Sequence, residues 1–192
     1  MRNILFIMLV LFSVFANAQS MKYTITANQH PIGNLTVIKT QNNNSFKIEV
    51  KSDVQVHLFM KIDFTYNLVS IYKNDELITG SVTTFVNGKE HSASKVEKNG
   101  NYYSLTQKSH ITEYPDKINY SGALLYFKEP VNVDKFFSEF SNIAKPMQLI
   151  GENEYQVTDP ESGHKSEYIY RDGLLHRAVI HHTLMTFELT KI

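Results

Sequence analysis

From residue 46 to residue 58, apolar and polar side chains alternate almost without a break. Phe46, Ile48, Val50, Val54, Val56 and Leu58 occupy one set of positions, and Lys47, Glu49, Lys51, Asp53, Gln55 and His57 the other. Only Ser52 interrupts the apolar set. A period of two over this length predicts a strand with one buried and one wetted face. The next stretch repeats the design, with Met60, Ile62, Phe64, Tyr66 and Leu68 set against Lys61, Asp63, Thr65 and Asn67. Strands this long are right-twisted and coil, which predicts a curved sheet or barrel instead of a flat one.

Turn chemistry divides the rest. Asn87-Gly88 and Asn99-Gly100 stand between β-like segments and suit two-residue hairpin loops, so residues 77–109 read as a three-stranded meander. Asp172-Gly173 predicts a further hairpin, with Arg171 paired to Leu174. Residues 174–192 contain no Gly, Pro, Asn or Asp, which predicts one long closing strand, bulged near His181-His182. At 132–143 the period changes. Phe136, Phe137, Phe140 and Ile143 fall at helical spacing, Asn132 stands at a capping position and Pro146 lies beyond the end. The fold class is therefore mainly β: a curved antiparallel sheet or open half-barrel of about ten strands, with one short helix packed across it by its Phe face.

The first residues change the picture of where the protein works. Arg2, an apolar run over 4–15 and the small triplet Ala16-Asn17-Ala18 have the layout of a cleavable secretory signal peptide, giving a leader at 1–18 and a single β-rich domain at 19–192. The apolar run is short of the ~20 residues a membrane-spanning helix needs, so no transmembrane anchor is expected. The chain has no Cys, which excludes lipid attachment at a cleavage-site cysteine, thiol catalysis and Cys-ligated zinc. Lys and Arg together number 19, as do Asp and Glu, and this balance lacks the basic surplus of a nucleic-acid binder. The expected location is periplasmic or secreted.

Three short motifs carry a resemblance. Ile32-Gly33 near the expected mature N-terminus, Phe137-Ser138-Glu139, and Tyr168-x-Tyr170-x-x-Gly173-Leu174-Leu175 before the closing strand resemble a family of uncharacterised bacterial secreted proteins known only as a domain of unknown function. More distantly, a curved antiparallel sheet crossed by a helix is similar to the half-barrel of bacterial lipoprotein-localisation factors. That second likeness implies an apolar ligand groove, and it bears on fold alone.

Candidate chemistry is sparse. No G-x-S-x-G, H-E-x-x-H, G-x-x-x-x-G-K-[ST] or G-x-G-x-x-G occurs, so no catalytic residue and no cofactor are assigned. Ser138-Glu139 reads as a solvated helix face, because helical neighbours do not face each other. Of the eight His, only His164 and His181 come opposite each other when the Asp172-Gly173 ladder is counted outward, and a zinc site needs further ligands, so no metal site is assigned. The aromatics are the remaining signal: 11 Tyr and 12 Phe, three of the Phe within the leader. The meander alternates poorly, with Thr79, Ser81, Thr83, His91, Ala93, Lys95 and Glu97 on one set of positions, as at the rim of an opening. Phe59, Phe64, Tyr66, Phe85, Tyr103 and Phe187 are the candidate lining of a groove for a lipid-like, apolar or amphipathic small molecule. The rival reading is a structural module of the cell envelope with a filled core and a protein partner; a third is a hydrolytic enzyme with an unrecognised site.

Overall fold

The computed structural model describes residues 18–57, 61–181 and 185–192, so the expected leader falls outside the described residues except for Ala18. Fourteen strands stand among them: β1 (Ala18–Ala27), β2 (His30–Asn42), β3 (Ser45–His57), β4 (Lys61–Lys73), β5 (Glu76–Val86), β6 (Lys89–Asn99), β7 (Tyr102–Gln107), β8 (His110–Tyr114), β9 (Lys135–Ser138), β10 (Ile143–Gly151), β11 (Glu154–Thr158), β12 (Lys165–Arg171), β13 (Leu174–His181) and β14 (Thr186–Lys191). They form a single sheet in the order β8-β7-β6-β5-β4-β3-β2-β1-β14-β13-β12-β11-β10-β9. All its ladders are antiparallel, and each joins strands adjacent in sequence except at one seam, where Tyr23–Thr26 of β1 meets Glu188–Lys191 of β14. The sheet is not closed: β8 and β9 are its edges.

The long alternating segments become β3 and β4, paired over thirteen residues, with Val50 opposite Leu68 and Val54 opposite Phe64. The three-stranded meander is present as β5 to β7. Its first turn places Asn87 and Gly88 at φ 50° and 76°, and the Asp172-Gly173 turn is alike at 52° and 73°, the positive values a tight hairpin needs. The count exceeds ten because several hairpins turn on residues that carry no Gly. Gln29, Lys108 and Ser109 hold positive φ, and a composition-based reading passes over such turns. The closing segment is likewise two strands, β13 and β14, which pair with each other.

The expected helix over 132–143 is absent. Residues 135–138 form β9, which pairs with the start of β10, and the chain reverses through 139–142 with Asn142 at φ 56°. Phe136, Phe137, Ser138 and Glu139 are all buried, so neighbours on both faces of the segment are covered, and an amphipathic helix would leave one face wet. The aromatic pair favours a strand once packing is available on both sides. Among the described residues, helical geometry occurs as a 3₁₀ turn at Gly122–Tyr126, in the crossover between β8 and β9.

That crossover plugs one end of the curved sheet. Ala123, Leu124 and Leu125 are buried there. The Tyr170 hydroxyl donates to the Leu125 carbonyl at 3.0 Å, the Glu129 amide to Gly173 O at 3.0 Å, and the Tyr23 hydroxyl to Leu175 O at 2.9 Å. The Tyr170, Gly173 and Leu175 positions of the third motif are thus the clamp that holds plug and seam together.

Candidate functional site

The inward face of the sheet is covered unevenly along its strands. On β3, Phe46, Ile48, Val50 and Ser52 are buried while Val54 and Val56 are only half-buried; on β4, Leu68, Ser70 and Tyr72 are buried while Ile62, Phe64 and Tyr66 are half-buried. Ile32, Ile180 and Phe187 continue the half-buried set around the same end. Burial of the inward side chains of β3 and β4 is thus complete toward the plugged end and incomplete toward the other. The tip of the β9–β10 hairpin lies at this less covered end, the mouth of the sheet, where Phe140 remains 45% exposed and its ring lies 6.3 Å from that of Tyr66.

Of the six residues expected to line a groove, Phe64, Tyr66 and Phe187 stand on the inward face at the mouth. Phe64 faces Val54 across the ladder, and Phe187 faces Ile180. Phe85 does not join them: it lies opposite Thr65, which hydrogen-bonds to exposed Asp53, so it points outward. Tyr103 is buried at the plugged end, donating to Leu77 O at 2.8 Å with Glu76 Oε1 at 3.1 Å, and belongs to the core. Phe59 lies outside the described residues. The meander does not leave the core either, since Leu77, Val82, Val96, Tyr103 and Leu105 are all buried.

The interior holds one charged group that the sequence reading placed in solvent. Glu139 is 1% exposed. Its Oε1 accepts from Ser70 Oγ at 2.8 Å, from Ser121 Oγ and from the Ala123 amide at 3.3 Å, and its Oε2 accepts from the Gly122 amide at 2.9 Å. The Tyr72 hydroxyl stands within hydrogen-bond reach of Ser121 Oγ, whose single hydrogen is committed to the carboxylate, so Tyr72 donates. Ser94 Oγ donates to the Glu139 carbonyl at 2.6 Å, and Asn142 Nδ2 donates to Thr106 O at 3.1 Å, fixing the hairpin tip against β6 and β7. Burial pushes the Glu139 carboxyl above its ordinary pKa, and the hydrogen bonds from Ser121 and Ser70 oppose the shift without cancelling it. Gly80 makes the space: a Cβ there would stand 3.0 Å from Glu139 Cγ and 2.9 Å from Val96 Cγ1. The signal in the sequence was negative, a polar residue at inward positions of otherwise apolar strands, Ser70 after Leu68 and Ser94 before Val96.

The histidine pair expected across the β12–β13 ladder does not form. A bulge between Ile169 and Tyr170 shifts the register so that Glu167 faces Val179. Ser166 Oγ, not His164, then meets the His181 amide, and His181 Nδ1 lies 2.9 Å from Thr186 Oγ1. At the plugged end a cleft of about 440 Å³ is lined by Lys39, Gln41, Asn44, Phe46, Asn74 and Asp75. The Lys39 ammonium there lies 4.5 Å from the centre of the Phe46 ring. No helix among the described residues is long and apolar enough to cross a membrane.

An open, barrel-like antiparallel sheet with one end plugged defines the class of molecule. The chain belongs to the family described as a domain of unknown function, DUF6134, whose signature matches residues 23–192. Its fold is similar to the crystal structure of a beta-barrel-like protein of domain of unknown function DUF1849 from Brucella abortus, with a TM-score of 0.64 over 92% of this chain and 96% of that one. At 8% identity the likeness is one of fold. No curated protein matches the chain.

Proposed function

We propose that this is an exported protein of the bacterial envelope that holds an apolar or amphipathic small molecule, of lipid-like character, in the open end of its curved sheet. One observation carries the reading: the inward side chains of β3 and β4 lose their cover progressively toward the mouth, where Val54, Phe64, Tyr66, Ile180 and Phe187 keep accessible apolar surface inside the curve. Apolar surface kept uncovered on a concave face costs the folded state and gives a ligand its driving force. The leader-like segment at the start of the sequence supports export.

Thermal melting of delipidated protein against a panel of fatty acids and phospholipids tests it. A ligand at a hundred times its Kd adds about 2.7 kcal/mol to the folded state, which raises the Tm by roughly 5–10 °C for a domain of this size. Phe64→Ala combined with Phe187→Ala should abolish the rise. An unchanged Tm across the panel overturns the proposal. A second reading, an interaction module, is favoured by Leu149 and Ile150, which stand 64% and 45% exposed on β10; co-purification of an envelope protein that is lost in Leu149→Lys would support it.

A further inference from the structure

The tyrosines of the interior fall into two groups. Tyr23, Tyr72, Tyr103, Tyr120, Tyr155 and Tyr170 each place the hydroxyl against a protein acceptor: Leu175 O, Ser121 Oγ, Leu77 O, Lys128 O, Glu129 Oε1 and Leu125 O respectively. These are core tyrosines whose polar atom has been satisfied, as burial demands. Tyr66 on β4, Tyr126 at the end of the 3₁₀ turn and Tyr168 on β12 differ. All three are half-buried, and burial pushes each phenol well above its ordinary pKa, yet no hydroxyl of the three has a hydrogen-bond partner among the described residues. Each also keeps accessible surface. Among the described residues the sealed side-chain atoms without partners are Ser141 Oγ and Asn142 Oδ1, and none of the three phenol oxygens is one of them. Tyr66 and Tyr168 stand on the inward face of the sheet.

They also lie near one another. Ionisation of Tyr66 would be opposed by Tyr126, Glu139 and Tyr168, and that of Tyr126 by Tyr168, Tyr23 and Glu139, so these groups are neighbours in the interior. The ladder agrees with this placement. Tyr66 shares a rung with buried Ser52, and Tyr168 lies opposite buried Ala178, so both face inward. The Tyr126 ring packs edge-on to Tyr23, with centroids 5.7 Å apart, which brings it from the plug onto the inner wall. Above them toward the mouth come the apolar side chains Phe64, Ile180 and Phe187.

We infer that Tyr66, Tyr126 and Tyr168 form a hydroxyl-lined floor beneath the apolar mouth, which binds the uncharged hydrogen-bond-accepting end, an ester, amide or ketone oxygen, of a chain-like amphiphile. The inference rests on the apolar-ligand reading and adds the polar end of the ligand and its direction of entry. Charge selects the uncharged group. An anionic head would be buried beside the Glu139 carboxylate. A cationic head would find that carboxylate already taken up by Ser70, Ser121, Gly122 and Ala123, leaving it without a free counter-ion. A carbonyl oxygen accepts from phenol donors and carries no desolvation cost of an ion.

Displacement of the hydrocarbon fluorophore diphenylhexatriene from the delipidated full chain tests it, using three competitors with the same tail: methyl dodecanoate, dodecanoate and dodecylammonium. Methyl dodecanoate should displace the fluorophore at a concentration at least tenfold below the other two. The triple variant Tyr66→Phe, Tyr126→Phe, Tyr168→Phe should weaken methyl dodecanoate about tenfold while leaving the Kd of the fluorophore itself unchanged, which also reports that the variant is folded. Equal displacement by all three competitors, or an unchanged ester affinity in the triple variant, overturns the hydroxyl floor and leaves the apolar mouth standing. Failure of the fluorophore and every competitor to bind overturns both.

Discussion

A carboxylate sealed inside a β protein normally brings a cation with it, and Glu139 has none among its partners. Two backbone amides and two serine hydroxyls take the place of the cation, so charge is spread over dipoles that are themselves fixed by the 3₁₀ turn and β4. Removing the acceptor strands those donors in the interior, and Glu139→Ala should cost about 3 kcal/mol in denaturant unfolding. The pH dependence has a definite sign. Because burial raises the folded-state pKa above the ordinary value of 4.5, the native protein retains a proton that the unfolded chain has lost. This contribution favours the folded state most near and below pH 4.5 and declines as pH rises through the folded value. Glu139→Gln should therefore lose less stability than the native protein between pH 4.5 and 8; parallel stability curves for the two would refute this account of the burial.

Gly80 is where the β5 strand yields to the hairpin tip. A methyl group there meets Val96, Glu139 and Ser70 within 3.4 Å, so Gly80→Ala should destabilise by about 1–3 kcal/mol and displace the tip, with Phe140 and Tyr66 reporting the shift in aromatic NMR spectra. The strands on either side were legible from the sequence to differing degrees. β3 and β4 declared themselves because their alternation is broken only at Ser52 and one face is wet over most of its length. The β9–β10 hairpin did not, because Phe136, Phe137 and Phe140 mimic a helical period whenever both faces of a strand are buried, and the residue that decides the matter, Glu139, finds its donors on β4 and the plug, far away in sequence. The mouth was half legible for the same reason. Phe64, Tyr66 and Phe187 lie on strands whose inward face follows from periodicity, whereas Tyr126 sits on a crossover with no period to read, and the outward turn of Phe85 follows from ladder register that the sequence does not print.

At the scale of the molecule, the barrel-like likeness to the Brucella abortus protein at 8% identity says that the architecture tolerates nearly complete replacement of its side chains. What such a sheet must preserve is connectivity, and here that is unusually simple. Each strand is laid beside the one made just before it except β9, which follows the crossover and begins a second arm, and the two arms join where β1 finds β14. Hairpins between sequence neighbours close small loops and form early, whereas the joining of Tyr23–Thr26 to Glu188–Lys191 requires the two finished arms to meet. Pulse-labelled hydrogen exchange during refolding should accordingly protect the amides of β3 and β4 first and those of the seam last; simultaneous protection would contradict it. The molecule then assembles as two pleated wings stitched along one spine, and until that stitch is drawn its greasy inner surface is on offer to whatever else the compartment contains.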